Sequence, residues 1–203
     1  MKERVILLHG IFRTKKSMAG LARFLESNNF EVLNLSYPST RQPLEQLAET
    51  IHAQIPQDGI KTYFIGYSMG GLLVRAYLAR HRLQNLGRVV MIATPNHGSE
   101  VADLLKNFWP YKKLYGPAGQ QLTTTYKLTD TIDYELGIIA GNRTIDPLCW
   151  LLIAKPNDGK VSTESTKLDG MKAHTIITAT HTFFPANRKM WQLALNFLQT
   201  GYF

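Results

Sequence analysis

The chain has 203 residues, a length suited to one domain, with 44% hydrophobic and 19% charged residues, ordinary for a globular protein with a sizeable core. Lysine and arginine exceed aspartate and glutamate, for a net charge of +8, yet the basic residues are scattered and form no nucleic-acid motif, so nucleic acid is not expected as a partner. No window approaches the roughly 18 uninterrupted apolar residues of a membrane span, and Cys149 is the sole cysteine, which excludes an internal disulfide and makes a cytoplasmic location the expectation.

In chain order, Arg4–Leu8 is the first apolar run, and it reads as a core strand rather than a leader because the run is short. A helical stripe follows at Met18, Leu21, Ala22 and Leu25, then a strand at Glu31–Leu35. Leu44, Leu47, Ala48, Ile51 and Ile55 form a second stripe, opening at Pro43 as a first-turn proline. Lys61–Ile65 is the third strand, Met69–Arg82 the third helix and Arg88–Ala93 the fourth strand. These short runs are apolar on both faces, and such alternation predicts a parallel sheet with helices on both sides.

From Pro95 to Asp133 the rhythm is lost among Gly, Pro, Thr and scattered aromatics. Strands resume at Tyr134–Ala140 and His174–Ala179, and a last helix from about Asn187 places Met190, Leu193, Ala194, Phe197 and Leu198 on one face. The expected architecture is one α/β domain over residues 1–203 with about six mostly parallel strands. The irregular stretch is read as an insertion, with a cap around 103–130.

Chemistry concentrates at Gly66-Tyr67-Ser68-Met69-Gly70, between a strand and a helix. A serine on so tight a turn lifts its hydroxyl above the sheet, and the glycines leave room for the turn. The helix that follows aims its first N–H groups at developing negative charge. Acyl transfer needs two such donors for its oxyanion. The backbone N–H groups of Met69 and of Ile11, in the loop His9-Gly10-Ile11-Phe12, are the candidates.

Such a turn orders its partners as nucleophile, acid, histidine. His181, directly after the last strand, is preferred as base over His97, which lies only 29 residues past Ser68. For the acid, the turn Asn157-Asp158-Gly159 favours Asp158 over Asp146, before Pro147, and Asp169, before Gly170. Phe12, Tyr67, His97 and Trp109 are candidates for substrate binding. The aromatic and lysine cluster Phe108–Tyr115 suggests an apolar wall for an acyl group, or a surface touching lipid. There is no H-E-x-x-H and no cysteine cluster, so neither metal nor cofactor is expected.

Together, His9-Gly10-Ile11, Gly66-Tyr67-Ser68-Met69-Gly70, Thr94-Pro95-Asn96-His97-Gly98-Ser99, Asn157-Asp158-Gly159 and His181 resemble the bacterial lipase and esterase branch of the α/β-hydrolase superfamily. The resemblance spans nearly the whole chain. It implies a reduced form of that fold, a triad of Ser68, Asp158 and His181, and a small-molecule ester or acyl substrate. Thioesterase, deacylase and acyltransferase chemistry would use the same triad, and a non-catalytic binding module is the alternative of another class. Tyr67 stands where true lipases often carry histidine.

Overall fold

A computed structural model describes residues 2–126, 128, 132–145 and 152–203. Six strands form one sheet: β1 (Arg4–Leu8), β2 (Glu31–Leu35), β3 (Thr62–Tyr67), β4 (Leu86–Ile92), β5 (Leu136–Gly141) and β6 (Ala173–Ile177). Their order is β2-β1-β3-β4-β5-β6 and every pairing is parallel. The alternation of the sequence predicts such a parallel sheet, and six strands agree with the reduced fold that the resemblance implies. Parallel strands need crossovers, and helices supply the first four: α1 (Ala19–Ser27), α2 (Leu44–His52) and α3 (Met69–Leu78) in turn, then α4 (Glu100–Leu105) and α5 (Trp109–Gln120) between β4 and β5, while α6 (Arg188–Thr200) follows the last strand.

The two faces divide by the period of two along each strand. In β1, Ile6 and Leu8 join a core with Leu44, Leu47 and Ile51 of α2 and Leu73 and Tyr77 of α3. Val5 and Leu7 turn to the opposite core, with Leu21 and Leu25 of α1 and Met190, Ala194 and Phe197 of α6.

The ends of β3, β4, β5 and β6 shift by one or two residues from the sequence reading, and three further differences concern the helices. Pro43 is the N-cap of α2, extended at ψ 161°, and the helix begins at Leu44. Next, α3 ends at Leu78, where the Arg80 and His81 amides both turn back to the Tyr77 carbonyl, so His81 lies outside the helix. Finally, the stretch without a clean period contains α4 and α5. Gly116, at φ 61° and ψ −162°, breaks α5 into two short pieces, and Pro117 follows it. Neither piece is long enough to show a helical stripe.

Among the described residues, no helix is long and apolar enough to cross a membrane.

Candidate active site

The site forms at the C-terminal edge of the sheet, where parallel α/β sheets place their ligands. β3 runs through Tyr67, and α3 starts at Met69, so Ser68 alone makes the turn, at φ 55° and ψ −125°. Such a backbone is strained for a residue with a Cβ. It is held by Ser68 N–H donating to the Ile92 carbonyl at 2.8 Å and by close neighbours. A Cβ on Gly66 would meet the Gly71 Cα at 2.5 Å, and one on Gly70 would strike the Leu8 carbonyl. Both glycines are therefore required by close packing of β3, α3 and β1.

His181 opens a short 3₁₀ turn after β6, and Asp158 sits in a loop before it. His181 Nδ1 donates to Asp158 Oδ2 at 2.7 Å, since a carboxylate only accepts. In the neutral imidazole Nε2 is then the bare nitrogen, and Ser68 Oγ donates to it at 3.0 Å. The second carboxylate oxygen, Oδ1, accepts from the Lys160 and Val161 amides at 3.0 and 2.9 Å. The turn that allows this uses Gly159 at φ 94°. The His181 N–H also donates to the Asp158 carbonyl, so backbone and side chain both tie the two loops together. Asp158 is only 2% exposed, which protects its bond to His181 from competition with water.

A cavity of about 250 Å³ opens above Ser68 and His181. Gly10, Ile11, Phe12 and Arg13 line one side, and Val101, Ala102, Tyr111, Tyr115 and Leu122 another. The loop after β1 approaches closely, for a Cβ on Gly10 would lie 3.2 Å from the Ser68 Cβ. Ile11 lies on the cavity wall, while Met69 is the first residue of α3 with its side chain in the core. Phe12 takes a positive φ of 57° and meets Tyr115 edge-on at 4.5 Å. Tyr67 lines the cavity too, but its hydroxyl is engaged in donating to the His181 carbonyl at 2.6 Å. Burial raises the pKa of that hydroxyl and keeps it protonated.

His9 braces the loop from behind. Its ring stacks on Tyr37 at 4.1 Å, and Nδ1 donates to the Gly10 carbonyl at 2.8 Å. Burial lowers its pKa, favouring the neutral ring, against the opposing effect of the Gly10 carbonyl.

Two candidates are not brought to this cavity. His97 lines a neighbouring one, with Glu164 and Lys167, and its N–H donates to the Ser165 carbonyl. Trp109 is 68% exposed at the start of α5, where Lys113 Nζ lies 5.8 Å from its ring. The reason is helical spacing. Tyr111 and Tyr115, four apart, share the face turned to the site, and Trp109 falls on another. The tyrosines belong to the Phe108–Tyr115 cluster that the sequence offers as an apolar wall, although it singles out Trp109 among them, whereas Val101 and Leu122 of the lining were missed. Asp146, the rival acid, lies outside the described residues. Among those described, no group of three His, Cys, Asp or Glu side chains is placed to hold a metal ion.

No curated protein matches this sequence. Among solved structures, a Bacillus licheniformis lipase in its mature form is similar over 94% of this chain and 92% of its own, at 20% identity and a TM-score of 0.70. In the propeptide form of that lipase the match spans 89% of this chain but 46% of that one, at 20% identity and a TM-score of 0.71. A metagenomic carboxyl esterase matches at 17% identity and a TM-score of 0.73, over 90% of this chain and 65% of its own. At such identities the likeness is one of fold. The sequence itself is matched from residue 3 to residue 120 by a family model described as alpha/beta hydrolase fold, a span that runs from β1 through the Ser68 turn to the end of α5. With more than half of its residues so matched and the six-stranded parallel sheet to carry them, this chain belongs to the alpha/beta hydrolase fold family.

Proposed function

We propose that the protein hydrolyses carboxylic esters through an acyl-enzyme on Ser68. The observation that carries this reading is the continuous bonding from Ser68 Oγ to His181 Nε2 and from His181 Nδ1 to Asp158 Oδ2, beside a cavity that Ser68 and His181 line together with Ile11, Val101, Ala102 and Leu122. His181 takes the serine proton as Oγ attacks the ester carbonyl, and Asp158 stabilises the imidazolium and fixes its tautomer. The Ile11 and Met69 N–H groups serve as donors to the oxyanion. His181 returns the proton to the departing alcohol, then deprotonates a water that releases the acid and restores Ser68.

The same reading assigns α4 and α5 as the cover of the site within one domain, with Tyr111 and Tyr115 as the acyl wall. The cavity is small beside the ~300–1,000 Å³ of pockets for drug-sized ligands. Short esters are therefore the expected substrates: p-nitrophenyl butyrate should surpass the palmitate in kcat/KM. A fluorophosphonate probe should label the wild type and not Ser68→Ala. Labelling that survives Ser68→Ala, or a wild type that neither labels nor turns over any p-nitrophenyl ester, would overturn the proposal.

A further inference from the structure

The cavity above Ser68 is apolar along the wall formed by Ile11, Val101, Ala102 and Leu122, but its charges are all of one sign. Among its described lining residues, the charged side chains are Arg13 and Lys160, with no aspartate or glutamate. They come from different loops. Arg13 follows the loop after β1, where its N–H closes a turn onto the Gly10 carbonyl, and Lys160 follows Asp158 beside His181.

None of the nearby acids lines this cavity. Asp158 gives both oxygens to His181 and to the Lys160 and Val161 amides. Glu100, between the lining residues Ser99 and Val101, lines the neighbouring cavity instead. Asp103 accepts from Thr124 and pairs with Lys106. Lys15, Lys16, Lys112 and Lys113 are exposed on the adjoining surface of a chain whose net charge is +8. A cleft lined by one sign of charge concentrates substrates of the other.

Resting on the ester-hydrolase reading, we infer that the preferred substrates are esters bearing an anionic group, a carboxylate or a phosphate, held by Arg13 and Lys160 while the apolar part lies on the wall opposite. Ionised groups at the mouth of a site act on encounter and binding, so the preference belongs in kcat/KM and weakens with salt.

The test compares each anionic ester with a neutral partner of the same shape. On the acyl side, the mono-p-nitrophenyl ester of adipic acid is set against the p-nitrophenyl ester of its monoamide, adipamic acid. On the leaving-group side, 4-acetoxybenzoate is set against 4-acetoxybenzamide, and 4-acetoxyphenyl phosphate against its dimethyl ester. The expected result is an anionic-to-neutral ratio in kcat/KM of about fivefold or more in at least one pair. That ratio should fall towards one in Arg13→Gln/Lys160→Gln and at 1 M salt. The pair showing it identifies whether carboxylate or phosphate is preferred, and on which side of the scissile bond. Ratios near one in all three pairs, or a ratio that survives the double substitution, would overturn the inference. So would an equal loss in Lys112→Gln/Lys113→Gln, which leaves the cavity lining intact. If the neutral esters are cleaved independently of Ser68, the hydrolase reading itself fails and takes this inference with it.

Discussion

Ser68 holds its hydroxyl in place through an unfavourable backbone, and that strain has a measurable sign. At φ 55° a residue with a Cβ is strained by about 1–3 kcal/mol, whereas glycine occupies positive φ freely. Ser68→Gly should therefore unfold at a higher temperature than Ser68→Ala, by about 1 kcal/mol of stability, in thermal denaturation followed by circular dichroism. Both should lose activity, with kcat for Ser68→Ala down on the order of a millionfold. Asp158→Asn should keep the fold but lower kcat on the order of 10⁴-fold, by presenting His181 with a donor in place of an acceptor. Steady-state kinetics on one short ester reads both. At this scale the sequence was most legible where residue type and neighbours had to coincide, as in the glycines around Ser68 and the turn of Asn157-Asp158-Gly159. It was least legible for contacts made by helices whose phase was unknown, and so His97 and Trp109 were drawn towards the cavity while Tyr111 and Tyr115 were not singled out from the aromatic cluster that holds them.

At the scale of elements, α2 shows how the cover and the body are joined. Its N-cap is Pro43, which has no side-chain acceptor for the first amides of the helix. Gln121, just past α5, supplies one: its Oε1 accepts from Leu44 N–H at 2.6 Å, and its Nε2 donates to Glu45 Oε2 at 2.9 Å. Tyr126 donates to the other oxygen of Glu45 at 2.6 Å. Burial works against the Glu45 charge, but the Tyr126 and Gln121 bonds prevail and hold its pKa below the ordinary value. Gln121→Leu should then cost about 1 kcal/mol of stability, as loss of a helix cap does. Its sharper signature is earlier proteolytic cleavage within 100–126, because the cover loses its tie to α2. Nothing local in the sequence announces a cap supplied from 77 residues away, or that Gly116 packs against the Thr40 carbonyl. The strands, the crossover helices α1, α2 and α3, and the final helix α6 were legible because burial on fixed faces imposes a period.

For the whole molecule, acid stability follows from the opposite edge of the sheet. Arg4 donates to both oxygens of Asp58 at 2.8 and 2.7 Å and to Glu31 at 3.1 and 3.2 Å, joining the starts of β1 and β2 to the segment before β3. The hydrogen-bonded guanidinium, prevailing over desolvation, holds the Asp58 carboxyl at about 2, below the ~3.9 of a free aspartate. A depressed carboxylate contributes stability that is complete above the unfolded pKa and is lost as pH falls through the folded one. Urea midpoints should thus drop between about pH 4 and pH 2, and Asp58→Asn should flatten that part of the profile. A curve equally steep in the variant would show that other carboxylates govern it.

The Arg4 cluster has a consequence for how this protein can be altered. It ties down the N-terminal ends of the strands, whereas Ser68 and His181 follow the C-terminal ends of β3 and β6. A five-residue strand separates the two edges by roughly 16 Å, beyond the ~7–10 Å within which substitutions couple. The acid stability carried by the Arg4 cluster and the chemistry proposed at Ser68 therefore rest on different residues, so selection, natural or in the laboratory, can retune one while leaving the other where it stands.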